Sequence, residues 1–378
     1  MKTTPFVLLA LFVLLSAVAR AAVEQHEVFV SGRDGYHTFR IPAVIRAANG
    51  DLLAFCEGRK SGAGDAGNID LLLRRSTDGG RSWGPIQVIW DDAENTCGNP
   101  CPVLDETTGT VWLLLTHNIG TEKEDAIIRK ETKGTRTVWV AHSRDHGATW
   151  TSPVEITRTT KDPKWGWYAT GPGVGIQIKH GPHAGRLVIP SDHSYDDPNG
   201  KVRNGPFEYG AHAIYSDDRG ASWKLGGVIR PKTNECQVVE SFDGRGTLIM
   251  NMRSYFGRNR RTHATSSDGG LTWTAPVDVP DLIEPVCQAS IIRATAAKLH
   301  LFSNPASTKR ERLTVKASAD DGRTWPRQLV LHEGPAAYSN LVMLGDTSVG
   351  CLYERGEKSA RERITFARFT LADLAPAR

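Results

Sequence analysis

Ser76-Thr77-Asp78-Gly79-Gly80-Arg81-Ser82-Trp83 carries the pattern Ser-x-Asp-x-Gly-x-x-Trp, which recurs at Ser143 to Trp150, Ser216 to Trp223, Ser266 to Trp273 and Ser318 to Trp325. All four fixed positions hold in every copy, and composition alone does not produce such a repeat. The residue types are those of a turn between two strands. The Asp side chain accepts from nearby backbone amides, the Gly takes positive φ, and the Trp returns to pack on the hairpin. Strand-like runs precede the copies, as in Ile69-Asp70-Leu71-Leu72-Leu73 and Thr137-Val138-Trp139-Val140-Ala141.

Successive copies start 67, 73, 50 and 52 residues apart. That spacing accommodates one four-stranded blade per repeat plus insertions. The expected fold is therefore all-β, a six-bladed β-propeller with blades of roughly 58 residues, its first and last strands sharing a blade. With 10 Trp, 37 Gly and 20 Pro, the composition also suits short strands and tight turns.

The chain opens with Lys2, an apolar run from Phe6 to Val18 and Ala19-Arg20-Ala21, the order of a secretory signal peptide. Residues 1–21 are accordingly set aside, and residues 22–378 form one propeller domain that is secreted, periplasmic or extracellular, with no stable membrane insertion after cleavage. Removing Lys2 and Arg20 leaves 44 basic against 42 acidic residues. This near-neutral balance argues against nucleic-acid binding. Six cysteines remain, Cys56, Cys97, Cys101, Cys236, Cys287 and Cys351. Export permits disulfides, and Cys97 with Cys101 could close a short loop, but buried thiols are the competing account.

Thr38-Phe39-Arg40-Ile41-Pro42 places an arginine between apolar residues, where a guanidinium needs an anionic partner. Taken alone it reads as a structural ion pair. Together, the Phe-Arg-Ile-Pro motif and the five Asp boxes resemble the exo-α-sialidase (neuraminidase) family over nearly the whole mature chain. The resemblance implies a six-bladed propeller and assigns residues in chain order. Asp65, in a glycine-rich loop, is the acid/base residue. Arg59 lies near the sugar C4 hydroxyl, and Asn99 lines the pocket. Glu235 is the catalytic glutamate and Arg253 the second arginine of a carboxylate clamp begun by Arg40. Arg310 completes the clamp, with Arg312 as an alternative because two arginines occur where one is needed. Tyr338 is the nucleophile, and Glu354 orients Arg40.

Alternation along the strand puts Glu235 and Glu240 on different faces, which leaves Glu240 structural. The aromatics of Trp167-Tyr168-Ala169-Thr170-Gly171-Pro172-Gly173 could wall the sugar site, with core packing as the competing account and the preferred one for Trp165 and Trp167. Asp192 is placed near the glycerol side of the pocket, and His193 is read as a surface loop histidine.

The chemistry is coherent. A sialic acid bears a carboxylate on its anomeric carbon, so three arginines answer an anion fixed beside the reacting centre. A neutral phenol can attack there without meeting a like charge, provided a base takes its proton. The resemblance implies a retaining exo-α-sialidase acting on glycoproteins, gangliosides or oligosaccharides, with no metal and no organic cofactor. A sialic-acid-binding propeller without catalysis would keep the clamp and lose Asp65, Glu235 or Tyr338, and all three are present. Transglycosylation and a deaminated substrate remain as further readings.

Overall fold

The computed structural model describes residues 23–377, so the signal-peptide expectation lies outside the described residues. Each Asp box sits where the third strand of an antiparallel meander turns into the fourth. The first meander runs Thr38–Arg46, Leu52–Arg59, Ile69–Ser76 and Gln87–Trp90, and its box follows Ser76. The same up-and-down order repeats along the chain, ending with Arg327–Met343, Ser348–Arg355 and Arg363–Thr370. The strand Glu24–Val30 pairs antiparallel with Arg363–Thr370, so the beginning of the described chain completes the sheet made by its end.

Within the third box, Ser216 Oγ donates to Asp218 Oδ1 at 2.8 Å and the Gly220 N–H donates to Ser216 Oγ at 2.7 Å. The Ser222 N–H and hydroxyl close on the same carboxylate at 2.8 and 2.6 Å. A hydroxyl residue fills this seventh position in all five copies, Ser82, Thr149, Ser222, Thr272 and Thr324, a constant the four-residue pattern leaves out. The bonds favour the ionised acid: the Thr149 hydroxyl, with the Thr149 N–H, holds the Asp145 carboxyl down at about 2.

The boxes also join one meander to the one before it. Trp83 packs on Phe366 at 5.3 Å between ring centroids, Trp150 on Phe55 at 5.6 Å, and Trp223 on Trp112 at 6.3 Å. Trp83 thereby ties the first meander to the last. The leading strands, among them Thr38–Arg46, Thr96–Asp105, Thr233–Glu240 and the second half of Arg327–Met343, line the centre of the fold. There Asn340 Oδ1 accepts from the Val44 N–H at 2.7 Å, while Asn340 Nδ2 reaches Ser290 Oγ at 3.3 Å and Gln237 Oε1 at 3.4 Å. Buried polar groups are thus paired across strands distant in sequence.

All six cysteines are buried and unbonded, which removes the Cys97–Cys101 loop. Both lie on the strand Thr96–Asp105, where they enter different apolar clusters. An extended strand rises roughly 3.3 Å per residue, which carries residues four apart beyond disulfide reach.

Gly220 has φ of +91°, and a Cβ added there would meet Trp112 Cε2 at 2.1 Å. Gly220→Ala is expected to destabilise the protein by about 2–4 kcal/mol in urea titration, because left-handed strain and overpacking add. Gly244→Ala, at φ +69° with nothing within 4 Å of the added carbon, is expected to cost only about 1 kcal/mol.

Candidate active site

Four leading strands lose register at the same end of the molecule, between Arg40 and Ala43, Gly98 and Cys101, Thr233 and Cys236, and Ala336 and Ser339. Such irregularities bend a strand and re-aim its side chains. Strict alternation would send Asn234 and Glu235 to opposite faces, yet both line one cavity. Ile41 and Asn99 take left-handed φ of +60° and +52° within two of these breaks. Farther along, the strand regains its register, and Glu240 accepts from the Lys179 and His180 backbone instead. That agrees with its structural reading.

The cavity holds about 210 Å³ and is lined by seven arginines and five carboxylates, an excess of positive charge suited to an anion. It gathers every residue assigned from the sequence except Glu354, which lies behind Arg40. Arg40 is 3% exposed. It donates to both Glu354 oxygens, each at 3.0 Å, and the same carboxylate accepts from the Ile41 N–H at 2.9 Å and the Tyr338 N–H at 3.3 Å. The anionic partner expected for Arg40 is therefore Glu354.

Arg253 pairs with Glu235 at 2.7 Å. Arg310 reaches only the Val286 carbonyl, at 3.3 Å, and among the described residues it has no carboxylate within ion-pair distance. Arg312 points elsewhere, half exposed and 3.5 Å from Glu333, so the two-arginine ambiguity resolves to Arg310 as the cavity residue.

The Tyr338 hydroxyl donates to Glu235 Oε1. Burial, reinforced by the Glu235 charge, pushes the phenol well above its ordinary pKa, so it stays neutral unless Glu235 takes the proton. The guanidiniums of Arg40 and Arg310 lie 4.8 and 5.8 Å from the centre of the ring. Asp65 stands at the mouth, its side chain 59% exposed, 2.8 Å from Arg59 and 3.7 Å from Arg40. Burial raises its carboxyl, but the charges of Arg59 and Arg40 outweigh that and hold it below the usual range. Arg59 is in turn clamped by Glu57 at 2.6 Å.

One sequence reading needs correction. His193 is fully buried on the strand Leu187–Asp196, stacked on Trp165 at 3.6 Å, because both neighbouring strands cover it. Trp165 is core as expected, whereas Trp167 is buried and also walls the cavity, where the Arg136 guanidinium lies 4.1 Å from its ring centre. Asp192 does line the cavity, fully buried and accepting from Asn234 Nδ2 at 2.8 Å. The sequence reading missed Glu57, Arg136 and Tyr255. No motif marks them, and only the register breaks and the facing strands bring them to the cavity.

Residues 50–351 match the family described as BNR repeat-like domain. The chain is 35% identical over 372 residues to a sialidase of Micromonospora viridifaciens, covering 92% of this chain but 54% of that protein, so it spans about half of that relative. It is 30% identical to Sialidase-2 of Mus musculus, covering 91% of this chain and 95% of the mouse protein. Among solved structures, Hadza microbial sialidase Hz136 superposes with a TM-score of 0.80 at 33% identity, over 93% of this chain and 69% of that one. The five turn boxes and a similarity that spans nine-tenths of this chain in each of these proteins converge, and the chain belongs to the sialidase family.

Proposed function

We propose that this protein is a retaining exo-α-sialidase, built as a six-bladed β-propeller over residues 22–378 and exported by the leader in residues 1–21. Its substrates are terminal sialic acids on glycoproteins, gangliosides or oligosaccharides. One observation carries the reading: the Tyr338 hydroxyl donates to Glu235, which also pairs with Arg253, in a cavity where Arg40 and Arg310 flank the same ring.

In this mechanism the substrate carboxylate docks between Arg40, Arg253 and Arg310, each charge-assisted bond contributing about 1.5–3 kcal/mol. Glu235 accepts the phenolic proton as Tyr338 attacks the anomeric carbon, a nucleophile that sialidases use in place of a second carboxylate. Asp65 protonates the leaving oxygen and then activates water, so two inversions give net retention. In the free protein Arg59 and Arg40 stabilise the charged form of Asp65, which disfavours proton donation. A substrate carboxylate on Arg40 offsets part of that field and raises the Asp65 pKa when the proton is needed.

Tyr338→Phe and Asp65→Ala are each expected to lower turnover of an umbelliferyl sialoside by at least about 100-fold with the fold intact. Wild-type rates in either variant refute the mechanism, and NMR of the first-formed product anomer tests retention. The rise in Asp65 pKa on binding also has a sign: the alkaline limb of kcat/KM, set by the free enzyme, should fall at lower pH than that of kcat. Coincident limbs argue against that field effect. Glu354→Ala strands a buried guanidinium, so a loss of about 3–5 kcal/mol in stability is expected, together with a raised KM as Arg40 drifts.

A further inference from the structure

The carboxylates of the cavity do not answer all of its arginines. Arg40, Arg59, Arg203 and Arg253 each have one within ion-pair distance. Among the described residues Arg136, Arg310 and Arg361 have none, although all three line the cavity. Arg136 is 1% exposed and spends its donors on the side-chain oxygens of Asn99, Asn118 and Thr116. Arg310 lies against the Tyr338 ring, where the substrate carboxylate docks in the proposed mechanism. Arg361 is the one guanidinium left without an anion.

The loop that carries Arg361, residues 356–362, joins the strands Ser348–Arg355 and Arg363–Thr370 and is tied down on every side. Within it, the Glu362 carboxylate accepts the Glu357, Lys358 and Ser359 N–H groups at 3.0, 2.7 and 2.9 Å, and these bonds hold the carboxyl down at about 2. On one flank Ser31, just past the strand Glu24–Val30, donates its hydroxyl to the Arg361 carbonyl at 2.8 Å and its N–H to the Glu362 carbonyl at 3.0 Å. On the other, Ala360 packs on the apolar cluster that contains Ile41 and Tyr338. Of the charged side chains on this loop, only Arg361 lines the cavity.

The neighbours of Arg361 decide which part of a substrate it meets. Burial and the like charge of Arg40 pull its guanidinium below its ordinary pKa against the opposing charge of Asp65, and Arg361 in turn helps to lower the Asp65 carboxyl. Arg361 therefore stands on the Asp65 side of Arg40, while Arg310 stands on the Tyr338 side. Asp65 protonates the leaving oxygen in the proposed mechanism. Its side chain is 59% exposed, so the leaving sugar passes out of the cavity beside it. A guanidinium crowded by other cations and without a carboxylate of its own is completed by an anion.

We propose that Arg361 forms a subsite for an acidic leaving group, so that the enzyme favours sialosides whose second sugar bears a carboxylate or a sulfate. The proposal rests on the sialidase reading, which supplies the leaving oxygen at Asp65. The carboxylate of the sugar being cleaved occupies Arg40, Arg253 and Arg310, and the second anion belongs to the sugar beyond the scissile bond. An α2,8-linked disialyl unit has such a leaving group, because its second sugar is itself a sialic acid. A sulfated galactoside is the other source of the same chemistry.

The test measures kcat/KM from initial rates on α2,8-disialyllactose and on α2,3-sialyllactose sulfated on its galactose, each divided by the value on neutral α2,3-sialyllactose. The two ratios are compared between the wild type, Arg361→Gln and Arg361→Lys, so that differences in intrinsic substrate reactivity cancel. Gln keeps a hydrogen-bond donor and removes the charge, whereas Lys keeps the charge. At least one ratio should fall by at least about fivefold in Arg361→Gln and stay within about twofold of the wild type in Arg361→Lys. A fall confined to the disialyl substrate assigns the subsite to a carboxylate, and one confined to the sulfated substrate assigns it to a sulfate. Thermal melts check that both variants fold. If Arg361→Gln keeps both ratios, or Arg361→Lys loses as much as Arg361→Gln, the proposal is overturned and the sialidase reading stands. A wild type inactive on all three substrates overturns the sialidase reading itself, and the proposal falls with it.

Discussion

The buried carboxylate of Glu354 is the constraint on which the rest depends. It is wholly removed from solvent, a costly state for an anion, and four donors compensate it: two from the Arg40 guanidinium, the Ile41 N–H and the Tyr338 N–H. Arg40 lies 314 residues before Glu354 in the chain, in the first meander, while Glu354 and Tyr338 are in the last. One side chain therefore joins the two ends of the fold and sets the distance between Arg40 and Tyr338. Folding and site assembly cannot be separated at this point.

The fold was legible because its signal is local. Each Asp box completes its hydrogen bonds within eight residues, so the sequence pattern contains all the atoms of the device. The strand pairing of Glu24–Val30 with Arg363–Thr370 followed from the repeat count and is present. The assigned site residues were legible only through family resemblance, since Asp65 or Tyr338 alone is an ordinary loop or strand residue.

What stayed hidden was everything set by partners distant in sequence. His193 looked exposed because a histidine in a polar run usually is, and its burial depends on Trp165 and on the facing strands. Arg136 carries no motif, and its place in the cavity wall comes from Asn99, 37 residues away, and from Trp167. Trp167 differs: its stretch offered both wall and core, and its ring serves the two together.

The register breaks and the buried acids belong to one physical solution. A bulge frees a backbone N–H that the ladder no longer satisfies, and a buried N–H without a partner is costly. At Ile41 the acceptor is Glu354, which also holds Arg40. At Asn99 it is Glu57, at 3.0 Å, which also holds Arg59. Glu284 repeats the arrangement at the strand end, taking the Ser254 N–H at 2.7 Å and Arg261 at 3.0 Å. In each case a glutamate accepts a backbone N–H while also holding an arginine. The left-handed φ at Ile41, unfavourable for a β-branched residue, is tolerable because the carboxylate bonds that N–H directly. A strained backbone that aims side chains inward, and an acid that both repairs the ladder and anchors a cation, together let strand ends present Arg40 and Arg59 to one small cavity. Removing the acid would release both functions at once, which is why a neutral replacement at Glu354 or Glu57 should disturb geometry as much as charge.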